Sequence, residues 1–183
     1  MNLDLLDLYE RASAWTVSKV AGAADQLDSA TPCDGWDVRT LLNHMLDTQN
    51  YFLGAAQGGQ ASPPASPPPE LLGEDPVEDF ERGRAETIGA FSAPGVIDRT
   101  GPALGIAFSD QLLHGWDLAQ ATNQDATMPS GLAEAAYQMI HGRFTDEQRK
   151  GVFKPEVQLG RDVSPQDRLL GYSGRDPSSQ ASS

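Results

Sequence analysis

The chain has 183 residues, enough for one domain with a buried core and short for two. Thirteen Lys and Arg against 26 Asp and Glu give a net charge of −13, which repels phosphate backbones and anionic lipid surfaces and disfavours nucleic-acid and membrane partners. One cysteine, Cys33, rules out an intramolecular disulfide, the N-terminus is acidic where a secretory signal is basic, and no apolar run nears the roughly 20 residues of a membrane span, so a cytoplasmic protein is expected.

From Asp4 to about Gln26, Leu5, Leu8, Tyr9, Ala12, Trp15 and Val20 recur three and four apart, the period of one helix face. The stretch Thr31-Pro32-Cys33-Asp34-Gly35-Trp36 is turn chemistry. Asp37 then caps a second helix whose stripe of Val38, Leu41, Leu42, Met45, Leu46, Phe52 and Leu53 ends near Gly58-Gly59. Ala61 to Pro69 carries too many prolines for helix or central strand and reads as a semi-rigid surface loop inside one bundle. Asp75-Pro76-Val77-Glu78 starts a third helix that runs to about Phe91.

After Ala93-Pro94-Gly95 the gap is read as a short extended piece, and Thr100-Gly101-Pro102 opens a helix from Leu104 to Ala121. Apolar residues lie almost all round it, so it is expected at the centre of the fold. A further helix spans Ser130 to about His141 with a left-handed stop at Gly142, and a last one starts at Ser164 and halts before Gly171. With no sustained period-two alternation, the chain reads as all-α over residues 1–175, with 176–183 as a frayed tail.

Of three histidines, His114 lies four residues after Asp110, a spacing that puts an imidazole and a carboxylate on one helix face. On a helix apolar nearly all round, both must meet protein, and a buried carboxylate needs a partner or a cation. Spacing and burial leave two readings open, a metal site or a hydrogen-bonded Asp/His couple. His44 flanks the stripe of the second helix near Thr48 and Tyr51, where it can face a cleft. His141, at a predicted helix end, is not counted as a ligand. Cys33, Trp36 and Trp116 are read as structural rather than reactive or substrate-lining.

The stretches from Thr31 to His44 and from Asp110 to Ala119, with the tail Gln166 to Gly171, resemble the DinB-like metal-binding superfamily. The likeness is to its actinobacterial branch, which contains the N-terminal domain of mycothiol-dependent maleylpyruvate isomerase. It implies a four-helix bundle with short additional C-terminal helices, holding one divalent ion through His44, Asp110 and His114. Some relatives carry Glu or a third His where this chain has the shorter Asp110. The isomerase's second, sterol-carrier-like domain has no counterpart in these 183 residues, so the resemblance is expected to carry the metal site rather than the maleylpyruvate reaction.

Two imidazoles and a carboxylate suit zinc first, with nickel or iron also allowed, and leave coordination positions open. The expected activity is that of a thiol transferase or isomerase: mycothiol or a similar thiol, bound at the ion as thiolate, attacks a small electrophile. Asp117 and Arg39 are assigned to contacts with the ligands or the substrate, and no acid–base residue is singled out. A thiol-independent hydrolase, lyase or cyclase is the alternative, and a non-catalytic metal-dependent binder of small molecules is a third. A homodimer through one helix face is allowed.

Overall fold

A computed structural model describes residues 4–150, 152–160 and 162–178. Eight helices are found among them: α1 (Leu5–Ala23), α2 (Val38–Ala56), α3 (Pro76–Phe91), α4 (Val96–Thr100), α5 (Ala103–Ala121), α6 (Leu132–Ile140), α7 (Asp146–Lys150) and α8 (Pro165–Tyr172). The described residues contain no strand, only an isolated bridge between Ala30 and Asp37. The chain is an all-α bundle of the DinB-like kind, with α1, α2, α3 and α5 as its long members.

Side-chain caps set the helix starts, those of Asp37, Asp75 and Ser164 anticipated from the sequence. Asp4 accepts from the backbone N–H groups of Leu6 and Asp7, Asp37 from Thr40, Asp75 from Val77 and Glu78, and Ser164 from Asp167. Each satisfies donors that a helix start would otherwise leave bare.

The central helix is α5, which packs on α1, α2 and α6, while α3 closes the bundle against α1 and α2. Leu104, Phe108, Leu112, Trp116 and Leu118 on α5 are buried, as are Tyr9 and Ala12 of α1 and Leu41, Leu42 and Met45 of α2. Helices α1 and α5 come close at Gly115, where an added Cβ would lie 2.6 Å from Trp15 Cζ3 and 2.8 Å from Thr16 Oγ1. Thr16 Oγ1 also donates to the Gln111 carbonyl at 2.9 Å, a cross-helix bond inside this interface.

Two expectations are corrected, and one element is added. The gap after Gly95 is the short helix α4 rather than an extended piece, because Gly95, at φ 74°, turns the chain straight into a new helical turn. The last helix does not halt at Gly171: that glycine lies inside α8 against the Leu159 side chain and the Val157 carbonyl, and Gly174, at φ 81°, is the left-handed residue beyond the end. The sequence reading passed over α7, a five-residue helix of mostly charged residues without an apolar stripe.

The proline segment is irregular and is fastened to α2. The Ala65 N–H donates to Asp47 Oδ2 at 2.8 Å, and the N–H groups of Leu71 and Leu72 donate to buried Asn43 Oδ1 at 2.6 and 2.8 Å. Gly142 takes the left-handed conformation as anticipated. Of the anticipated tail, Asp176 accepts from the N–H and hydroxyl of Ser178, and residues 179–183 lie outside the described residues.

Candidate metal centre

The first half of α2 and the middle of α5 bring His44, Asp110 and His114 together. One candidate ligand atom from each lies within 4.8 Å of the other two. The two imidazole rings meet edge to face, with centroids 4.9 Å apart. The side chains of His114 and Asp110 are 12% and 20% exposed, so the cluster is largely enclosed and still open to a small visitor.

The hydrogen bonds decide which nitrogen of His114 faces the cluster. Its Nδ1 is 2.9 Å from Asp117 Oδ2, and a carboxylate only accepts, so Nδ1 carries a proton and Nε2 is the nitrogen turned to the cluster. Nε2 lies 3.4 Å from Asp110 Oδ1, an acceptor. Without a proton on Nε2 the two would be acceptors face to face, so a positive charge, a proton or a cation, is favoured between them. Two further buried atoms have no hydrogen-bond partner: His44 Nδ1 and Asp110 Oδ2. Ligand-type atoms this close together, with orphaned polar atoms on His44 and Asp110 and with His114 fixed from behind by a carboxylate, fit a divalent cation.

The electrostatics agree. Burial, and then the neighbouring His114, push His44 down to about 4, so it is a neutral imidazole with an available lone pair at physiological pH. Burial opposes the imidazolium of His114 too, but Asp110 and Asp117 outweigh it and hold His114 well above the ordinary value of 6.5. Burial would also raise Asp110, yet the adjoining His114 keeps that carboxyl below its usual range. In the metal-free protein a proton therefore sits between His114 and Asp110, and a cation bound there would have to displace it.

A model of the mycothiol maleylpyruvate isomerase N-terminal domain matches residues 9–119, spanning both stretches that build the cluster. The chain belongs to that family. Two uncharacterized proteins of Mycobacterium tuberculosis, from two strains, are each 28% identical to this family member over 188 aligned positions, which cover 94% of this chain and 98% of theirs. No solved structure matches it significantly.

The other assigned residues divide. Asp117 is fully buried and reaches the candidate ligand His114 rather than solvent. Arg39 is exposed at the start of α2, its charge felt by Asp37, and its guanidinium makes no hydrogen bond or ion pair among the described residues. Arg175 instead brings the guanidinium to this family member's site: Nε donates to Asp117 Oδ1 at 2.8 Å and Nη2 to Asp117 Oδ2 at 2.6 Å. Nothing in the local sequence pattern links two residues 58 apart, and sequence reasoning missed the pair.

Cys33 was read as structural, and its Sγ lies 3.5 Å from Asp117 Oδ2, close to His114. Cys33, His114 and Asp117 thus form a second group with ligand-like spacing. Both oxygens of Asp117 are already paired with a guanidinium, however, and a second cation there would meet that charge directly. The unpartnered His44 Nδ1 and Asp110 Oδ2 belong to the other group. Trp36 is half-buried and tilts onto His44 with centroids 5.0 Å apart, at the rim of the cluster, whereas Trp116 belongs to the core. His141 is remote in role, stacked on Tyr137 with centroids 4.7 Å apart.

Proposed function

We propose that this family member is a divalent-metal-dependent enzyme that joins a small thiol of the mycothiol type to an electrophilic metabolite, or isomerises such a metabolite through a reversible adduct. The observation that carries this reading is that His44, Asp110 and His114 each bring a ligand-type atom within 4.8 Å of the others, while His44 Nδ1 and Asp110 Oδ2 have no hydrogen-bond partner. Zinc is the first choice for two imidazoles and one carboxylate, ahead of nickel and iron. Bound there, the ion supplies positive charge that favours the thiolate over the thiol at neutral pH.

The chain's own residues do the rest. His44 and His114 contribute no charge as neutral imidazoles and Asp110 contributes one negative charge, so the site keeps a net positive charge for an anionic sulfur. Asp117 holds the proton of His114 on Nδ1 and so keeps Nε2 aimed inward. Trp36 walls one edge with an apolar face against which an electrophile can pack. The same reading places the protein in the cytoplasm, where small thiols stay reduced. Among the described residues, no helix is long and apolar enough to cross a membrane.

The test is elemental analysis of purified protein and of His44→Ala, Asp110→Ala and His114→Ala, followed by turnover of a haloarene or enoyl electrophile with and without thiol. Near-stoichiometric metal in the parent, lost in each variant, with thiol-dependent turnover abolished by chelation, is the expected result. Metal retained in all three variants would overturn the ligand set. Turnover without thiol would point to hydrolysis, elimination or cyclisation, and tight binding without product to a carrier.

A further inference from the structure

We propose that Arg175, in the turn after α8, is a positioning residue for the metal centre: its guanidinium fork locks Asp117 so that Asp117 orients the ligand His114. The proposal rests on the metal reading above and extends it to a part of the chain that the family match, ending at residue 119, does not reach.

The placement of Arg175 is locally determined. Beyond α8 the chain turns back at Gly174, whose φ of 81° suits glycine and whose missing Cβ would lie 2.7 Å from the Lys154 carbonyl oxygen. The Arg175 N–H donates to the Leu170 carbonyl at 2.9 Å, and Nη1 donates to Ser173 Oγ at 3.2 Å. Lys154 in turn donates to the Pro32 carbonyl and to Asp34, both at 2.8 Å. The C-terminal turn thus bears on the metal centre from two sides, through Asp117 on α5 and through the loop that carries Cys33.

Shape matters as well as charge. Nε and Nη2 engage one carboxylate oxygen each, a side-on fork that an ammonium cannot reproduce. With both oxygens held, Oδ2 has one orientation in which to accept the His114 Nδ1 proton, and the imidazole plane follows. Without the fork, a carboxylate with no exposed surface is free to rotate or recruit water, and His114 loses its fixed aim.

The experiment uses the full chain and Co(II), whose visible absorption reports ligand geometry. Co(II) affinity and spectrum are measured for the parent, Arg175→Ala and Arg175→Lys, with helix content by circular dichroism and with added methylguanidinium. We expect both variants to keep parent-like helix content, to bind Co(II) at least about tenfold more weakly and to show a changed absorption band. Methylguanidinium should restore Arg175→Ala. A purely structural clamp would lower stability and leave affinity and spectrum of the folded protein intact, and that result in both variants overturns the proposal. If Arg175→Ala does not fold, Arg175→Lys decides on the same two readouts. Absence of Co(II) binding by the parent overturns the metal reading itself, and this proposal with it.

Discussion

Asp117→Asn, studied with a chelator present so that metal loss plays no part, isolates what the buried ion pair contributes to the bundle. The Asp117 side chain has no exposed surface and that of Arg175 is 13% exposed. The substitution preserves shape and removes one charge, stranding the guanidinium against a neutral amide. That amide has one acceptor oxygen where the carboxylate had two, while Arg175 Nε, Arg175 Nη2, His114 Nδ1 and the Cys33 thiol all point donors at the position. Its NH2 group must therefore face another donor. Breaking a buried pair from one side costs about 3–5 kcal/mol, and in a protein of this size each kcal/mol shifts the melting temperature by about 2–4 °C.

The expected fall in Tm is therefore roughly 6–20 °C. Scanning calorimetry on both proteins measures it. The double variant Asp117→Asn with Arg175→Met strands no charge and should recover about 0.5–3 kcal/mol relative to the sum of the single changes. A fall below about 2 °C, or strict additivity, would refute the reasoning, because the pair would then be screened by water like a surface salt bridge.

Gly115→Ala should destabilise by about 1–3 kcal/mol, since its Cβ would lie 2.6 Å from Trp15 Cζ3 and force α1 away from α5; parent-like thermal unfolding would refute that packing. Chelation should lower the Tm of metal-loaded protein by roughly 5–11 °C, from about 2.7 kcal/mol of linkage at a hundredfold excess of free metal over Kd, and His141→Ala should leave this difference unchanged. In metal-free protein, His44 titrates at about 4 when folded and near 6.5 when unfolded, so the unfolded chain takes up protons first and stability falls as pH drops from 6.5 towards 4. His44→Gln should flatten that part of the stability curve measured by denaturant titration, and an unchanged slope would show that His44 is not buried as a neutral ring.

Much of this was legible from short-range pattern. Asp37, Asp75 and Ser164 announced their helices because a cap acts within three residues, and the enclosure of α5 followed from apolar residues around most of its circumference. The pairing of Asp110 with His114 is likewise a property of one helical turn. Gly171 misled because glycine serves two ends: a stop signal in sequence, here it admits Leu159 and the Val157 carbonyl to the flank of a continuing helix. Arg39 and Arg175 show the same limit, since a charge near a motif in sequence is easier to see than one that arrives from the far end of the chain.

The division of labour between the two carboxylates of α5 follows from their partners rather than from the residue type. Asp110 and Asp117 are seven apart, two turns along one face, and both adjoin His114. Asp117 has its charge matched by Arg175 and its oxygens occupied, so it can only orient its neighbour. Asp110 has one oxygen with no partner and the other turned to His114 Nε2, so it is the carboxylate left able to take a cation. Exchanging these environments would exchange the roles: a guanidinium on Asp110 would close the metal position, and an unpaired Asp117 would open a new one beside Cys33. The fold thus decides which carboxylate is left able to serve as a ligand, because the C-terminal turn neutralises the other.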